Sequence, residues 1–249
     1  MSLFFNLIHH PQTVFRHKYY VFYYCHKAGI TWRGIVHDLS KFSYTELSES
    51  IKYYKDGSSP INRAKEDKGY SSAWMHHKGR NSHHHVFWVD RIDDGGYILR
   101  MPYEDILECL CDFLGANKAY NHGKSTIKDE VIFWDKKKVT CSMHPANRLF
   151  ITTMLKILTL TGSDNLEAFR LTRYDGVKLS KIIYDICNMI TSDLPLYIPI
   201  EKSLEYKEEE NNSHLKFIDK SYCNNYLIDN ASYEYNNLKE AYGYLSIKS

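Results

Sequence analysis

Five histidines fall within ten positions of one segment of this 249-residue chain, AWMHHKGRNSHHHVFW at residues 73–88. Clustered imidazoles offer nitrogen ligands to a divalent transition cation, or hydrogen bonds and charge to a phosphate. The plain alternative is a solvated surface run. Laid on a helix, Ala73, His77, Asn81, His84 and Trp88 follow one another in steps of four, four, three and four, the rhythm of one face. His76, Arg80 and His83 fall on the neighbouring stripe. A solvated run has no reason to keep alanine and tryptophan in phase with histidine. Gly79 is a candidate break in that helix.

Two further patterns carry chemistry. VHDLSK at residues 36–41 places His37 and Asp38 side by side, a nitrogen and an oxygen ligand within one turn. Lys41, three residues on, is placed to reach a phosphate oxygen or to form a local ion pair with the aspartate. In PYEDILECLCDF, Asp105, Glu108 and Asp112 follow an i, i+3, i+7 course and share a face. Apolar residues flank that acidic stripe on both sides. If it faces inward its charges need partners, because an unpaired buried carboxylate is very costly; if it faces water it needs none. Glu108 could then accept from the second N–H of a ligand histidine or move a proton. Arg80 has the fork geometry for a bidentate phosphate contact. Asn81 suits either a substrate contact or the cap of a helix break. Trp74 and Trp88 read as core. His144 precedes a helix start, and His9, His10, His26 and His122 take no role.

The elements that must position these residues are helical nearly throughout. Pro11 and Gly29 bracket a helix over 11–28, with Val14, His17, Val21, Cys25 and Ala28 on one face, so His17 points inward. A short helix from Trp32 to Leu39 follows, with Thr31 as N-cap. Ser43 and Glu46 form a capping box for a helix through Tyr54, and DGSSP is a loop. DDGG is a turn. Pro102 opens a long helix to Tyr120, VIFW reads as a short strand or buried loop, Pro145 opens a helix ending at Gly162, and residues 177–192 form an amphipathic helix. EYKEEENN is a solvated linker, and 213–249 a packed helical extension or a disordered tail. The expected class is all-α. Residues 1–162 form a metal-binding helical domain, and 163–249 a mostly helical extension.

Composition narrows the partners. Hydrophobic content of 43% and charged content of 25% are ordinary for a globular chain. A net charge of +2 argues against a broad polyanion surface, so nucleic acid is not indicated. Six cysteines at irregular spacing, with no CxxC pair, read as reduced thiols. The start, MSLFFNLIHH, lacks a basic n-region and is too short for a membrane span, which points to a cytoplasmic protein. Twelve of the thirteen histidines lie between His9 and His144, so the first 160 or so residues are the working part.

The motifs RHKYYVFYYCHKAG, HDLSKFS, AWMHHKGRNSHHHVFW and MPYEDILECLCDF resemble a small bacterial and phage family described only as a domain of unknown function, over roughly residues 9–160. The succession His17, His37–Asp38, His77, His83–His84, Asp112 is similar to that of the HD-domain metal-dependent phosphohydrolases. That resemblance implies an HD-domain-like helical bundle with one or two divalent transition metals (Mn, Fe, Co, Ni or Zn). His17, His37, Asp38 and Asp112 would hold the first ion. Asp38 would bridge to a second, bound by His77 and by His83 or His84; the run of three histidines leaves the register open among His83, His84 and His85, with His84 favoured by the stripe. The implied activity is hydrolysis of a nucleotide or other small phosphate ester, with Asp38, Lys41, Arg80 and Glu108 as the catalytic set. Two alternatives stand beside it: a non-catalytic, metal-stabilised nucleotide-binding or interaction module, and a two-iron site that activates dioxygen. The sequence leaves the oligomeric state open.

Overall fold

The computed structural model describes residues 3–55, 58–92, 95–161 and 178–205. The expected all-α class holds: the described chain is helical, with one small three-stranded antiparallel sheet. It divides into two compact units, one formed by residues 1–88 and 104–130, the other by 89–103 and 131–249.

The first unit contains every clustered histidine. Its first helix, α1 (Leu3–Lys27), starts eight residues before Pro11 and runs through it. Tertiary anchoring overrides the proline start signal: Asn6 donates to the Ile51 carbonyl at 2.9 Å, and His10 lies edge-on to Tyr54 at 5.6 Å. Helix α2 (Thr31–Val36) stops three residues earlier than the sequence suggests, and Ile30, not Thr31, is its N-cap. The Thr31 hydroxyl pairs instead with His26 Nδ1 at 3.2 Å. A 3-10 turn (Leu39–Phe42) leads to α3 (Tyr44–Tyr53), whose N-cap Ser43 accepts from the Glu46 backbone N–H. Then come α4 (Pro60–Lys68), for which the sequence offered no expectation, and α5 (Ser72–Lys78). The single helix over 73–88 does not form. It ends at Gly79, and a second 3-10 turn, His85–Trp88, closes the segment.

Helix α6 (Tyr103–Tyr120) completes this unit's core with Ile106, Leu107, Leu110, Cys111 and Leu114, all buried. Two glycines set the helix spacing. A Cβ on Gly115 would lie 2.5 Å from Val21 Cγ2 and 2.9 Å from the Val21 backbone nitrogen, and one on Gly34 would lie 2.7 Å from Cys25 Cβ. Only glycine lets α6 and α2 approach α1 this closely. His17 is one turn from Val21, and Asp112 one turn from Gly115, so the same approach brings that pair together.

In the second unit, strands β1 (Val89–Ile92) and β2 (Gly95–Leu99) pair antiparallel with Ile92 opposite Gly95, and β3 (Tyr197–Pro199) adds to β2. Of the expected DDGG turn, both glycines belong to β2 and residues 93–94 lie outside the described residues. Helix α7 (Ile127–Lys138) corrects the strand-or-loop expectation for VIFW: Trp134 is buried, while Ile132 and Phe133 stay exposed. Apolar residues at consecutive positions mimic a strand in sequence, yet here only one face packs. Helices α8 (Pro145–Thr161), α9 (Leu179–Ile190) and α10 (Ile200–Glu205) complete the unit. The proposed linker beyond Glu205 and the tail from 213 to 249 lie outside the described residues, as do residues 162–177.

Candidate metal centre

The cluster is built where helices end. His37 and Asp38 do not share a helical turn. Helix α2 stops at Val36, His37 is extended (φ −51°, ψ 130°) and Asp38 is left-handed (φ 54°, ψ 29°). In a helix, successive side chains diverge by about 100°; this break turns both inward. Lys18 secures it by donating to the Ile35 and His37 carbonyls at 2.7 and 2.8 Å, a cation at a helix C-terminus.

Around that break, His17 from α1, His77 from α5, His83 and His84 from the loop after it, and Asp112 from α6 converge. All but His84 are buried, and the His84 side chain is 15% exposed. The two oxygens of Asp38 face opposite ways. Oδ2 lies 3.3 Å from His17 Nε2 and 3.2 Å from His37 Nε2. Oδ1 lies 3.2 Å from His77 Nε2 and 3.4 Å from His83 Nε2. Asp112 Oδ1 stands 3.2 Å from His17 Nε2 and 3.5 Å from His37 Nε2. Two four-residue sets result, His17–His37–Asp38–Asp112 and Asp38–His77–His83–His84, each able to hold a metal ion and sharing Asp38. Both His83 and His84 take part, because the loop after Gly79 frees them from the helical stripes; His85 is in neither set.

The other edges of the imidazoles are held by carboxylates. Glu108 Oε1 accepts from His37 Nδ1 at 2.8 Å and lies 3.2 Å from His83 Nδ1. Glu46 accepts from His77 Nδ1 and His76 Nδ1, each at 2.8 Å. A carboxylate on Nδ1 fixes the proton there and turns the Nε2 lone pair inward. Each of these rings faces a second imidazole: His37 Nε2 to His17 Nε2 at 3.4 Å, and His77 Nε2 to His84 Nε2 at 2.7 Å. His83 Nε2 and Asp38 Oδ1 have no hydrogen-bond partner among the described residues. Buried lone pairs and a carboxylate oxygen aimed at one another repel unless a proton or a metal cation lies between them. Against their burial, the contacts with Asp38 raise His37, His77 and His83 above the ordinary histidine range. Metal–ligand bonds of about 2.1 Å separate neighbouring ligand atoms by roughly 3.0–3.4 Å, close to the 2.7–3.5 Å between neighbouring donor atoms here. The donor set fits a divalent cation. Its mix of imidazole and carboxylate suits Mn, Fe, Co, Ni or Zn better than magnesium.

A third possible grouping, His37, His83 and Glu108, is better explained as support. Glu108 Oε2 is already engaged by Arg33 Nε at 2.6 Å, and the same guanidinium pairs with Asp105. Ser82 also donates to Asp105, at 2.5 Å. The whole acidic stripe of α6 is therefore buried, with Asp112 facing the cluster and Asp105 and Glu108 facing Arg33. Electrostatics follow this layout. Burial opposes ionisation of Asp38, yet His37, Lys41 and His77 hold it well below its ordinary range. Burial likewise opposes a charged Glu108, but hydrogen bonds from His37 and His83 pull it down to about 2. Burial, reinforced by His83, pushes His84 well below an ordinary histidine and keeps it a neutral donor.

Of the other sequence candidates, Lys41 is at the cluster: its ammonium pairs with Asp38 Oδ2 at 2.6 Å. Arg80 is not. It is exposed and donates to the His76 carbonyl at 3.3 Å, because the helix ends beside it. Asn81 caps that break, donating to the His77 carbonyl at 2.8 Å and to Ser40 Oγ at 2.9 Å. Glu46 and Arg33 were not singled out from the sequence. The Ser43–Glu46 capping pattern absorbed the glutamate, whose side chain serves histidines instead. The i, i+3 spacing of Glu46 and Glu49, which puts two acids on one face of α3, was the available signal. Glu49 itself accepts from the Ser72 and Ala73 amides, each at 3.1 Å, and from the Ser71 hydroxyl and Lys68, fastening the first turn of α5 to α3.

Residues 7–157 match the family described as "Family of unknown function (DUF5662)". The chain belongs to that family. The matched span covers more than half of the chain and contains every residue of both four-residue sets, with Glu46 and Glu108. No curated protein and no solved structure matches the chain. Among the described residues, no helix is long and apolar enough to cross a membrane.

Proposed function

We propose that this member of DUF5662 is a metal-dependent phosphohydrolase of the HD type, acting on a nucleotide or other small phosphate ester through a dinuclear site. The observation that supports it most directly is the division of Asp38, one oxygen toward each ligand set, as a bridging carboxylate requires. Divalent cations bound there supply Lewis-acid polarisation of a phosphoryl oxygen and acidify water. The chain's own groups do the rest. Glu108 and Glu46 hold protons on His37 Nδ1 and His77 Nδ1, fixing ring orientation. Lys41 carries positive charge to the non-bridging phosphoryl oxygens while remaining tethered to Asp38. Buried walls keep bulk water from screening these charges. Arg80 has no part.

The test is phosphate release from a panel of phosphate esters by tag-free protein loaded in turn with manganese, iron, cobalt, nickel and zinc. Turnover that falls at least about a thousandfold in Asp38→Asn is expected. Oxygen consumption by the iron-loaded protein, with no phosphate released under any metal, would replace the hydrolase with an oxygen-activating centre.

A further inference from the structure

A cavity lies against one side of the cluster and is lined by His17, Lys41 and Glu46 at that side. Its remaining wall comes from α1, the end of α3, the start of α4 and the end of α6. Two features of that wall select a ligand.

The first is charge. Among the described residues, Lys41 is the one lysine or arginine in the lining, and Glu46, the one carboxylate, is engaged by His76 and His77. A single cation beside the metal sets matches one phosphoryl group. A triphosphate, or an ester carrying further acids, would place negative charge where nothing answers it.

The second is unspent hydrogen-bonding capacity. His10 is 6% exposed, and its Nδ1 has no partner among the described residues. A buried orphan of this kind is costly unless a ligand completes it. Thr13 Oγ1 donates to the His9 carbonyl at 3.2 Å, so the Tyr54 hydroxyl 3.1 Å away donates to Thr13 and keeps its own oxygen free to accept. Ser50 adds a hydroxyl, while that of Ser59 is engaged by Tyr120, and Val14 and Ile61 supply apolar wall. Burial, then the nearby Lys41, pushes His10 down to about 4, so it meets a ligand uncharged.

We infer that this cavity receives the organic part of a phosphomonoester whose body is small, uncharged and rich in hydroxyls, a sugar or polyol phosphate, with His10 and Tyr54 reading the hydroxyls and the phosphoryl group at the Lys41 end. The assignment rests on the phosphohydrolase reading for the position of the phosphoryl group. His10 and Tyr54 are specificity residues, assigned to the organic part of the ligand and not to the bond that breaks.

Calorimetric binding of ribose 5-phosphate to the manganese-loaded full chain tests it, beside binding of inorganic phosphate and ATP. Ribose 5-phosphate is expected to bind tightest. His10→Phe, which keeps a ring and removes the nitrogen, should weaken it at least tenfold, and Tyr54→Phe, which deletes one oxygen, about fivefold, with metal content unchanged in both. Where the sugar phosphate is turned over, the loss should fall on KM rather than kcat. Wild-type affinity in both variants, no binding by the wild type, or ATP binding tenfold tighter than ribose 5-phosphate would each overturn the assignment. If His10→Phe fails to fold, Tyr54→Phe alone decides. Binding without hydrolysis would overturn the phosphohydrolase and leave the cavity's ligand standing.

Discussion

Each compact unit buries a polar cluster around histidine, and the two are finished differently. In the second unit His144, fully buried, accepts from the Ala146 amide through Nδ1 and donates to the Pro195 carbonyl through Nε2. Asn147 clamps both backbone groups of Met101, and Arg148 and Ser203 tie α8 to α10 and to Met143. Every one of those contacts ends on backbone. In the first unit His37, His77 and His83 are backed by carboxylates and turn Nε2 toward the cluster, and His83 Nε2 and Asp38 Oδ1 have no hydrogen-bond partner among the described residues. A polar cluster that closes on itself holds a fold. One that leaves convergent donors open is built for something else.

The largest effect separating the two comes from His37→Ala combined with Asp38→Ala. Bound transition metal should drop from near stoichiometric to below roughly a tenth of an equivalent by elemental analysis, since both ligand sets lose a member. His144→Ala should leave metal content untouched and cost about 2–4 kcal/mol in chemical denaturation, because two buried partners are left unsatisfied. That contribution also has a pH signature. Burial, aided by Arg100 and Arg148 against the Pro195 hydrogen bond, lowers His144 from 6.5 to about 4. Its stabilisation is therefore fully present above pH 6.5 and lost as pH falls toward 4. A metal-binding defect in His144→Ala would erase the distinction between the units.

Sharper still is the comparison within the first unit. Glu46→Gln and Glu108→Gln keep shape but weaken the grip on Nδ1, and each should reduce metal affinity about 10- to 100-fold without abolishing it, as read by competition with a chelator. Glu49→Gln, one turn away on the same helix, should leave affinity nearly unchanged and cost about 1 kcal/mol of stability. Burial opposes the Glu49 charge, but Lys68, Ser71 and two amides lower it to about 2. Its contribution is present above pH 4.5 and lost as pH falls toward 2, so the variant and the wild type should converge in acid.

Much of this was legible in residue order. The imidazoles and acids now drawn together were all recognisable as types: the His17 face of α1, the 37–38 doublet, the acidic stripe of α6. What the sequence obscured was how they turn inward. A periodic reading put His37–Asp38 inside one helical turn and 73–88 on one helix, whereas both segments break, and the breaks let adjacent residues share one target. The same habit placed Arg80 at the site and left Glu46 as a cap. Backbone departures from periodicity, such as the left-handed Asp38, carry no signal in hydrophobic spacing. Pro11 and VIFW misled for a related reason, since tertiary packing decided against the local preference.

The most direct measurement is the transition-metal content of the full chain purified without a histidine tag, by inductively coupled plasma mass spectrometry. Between one and two equivalents per chain, retained through gel filtration, is the result expected. Less than about a tenth of an equivalent, unchanged after incubation with manganese, iron or zinc and removal of excess, would contradict a metal centre at His17, His37, Asp38, His77, His83, His84 and Asp112.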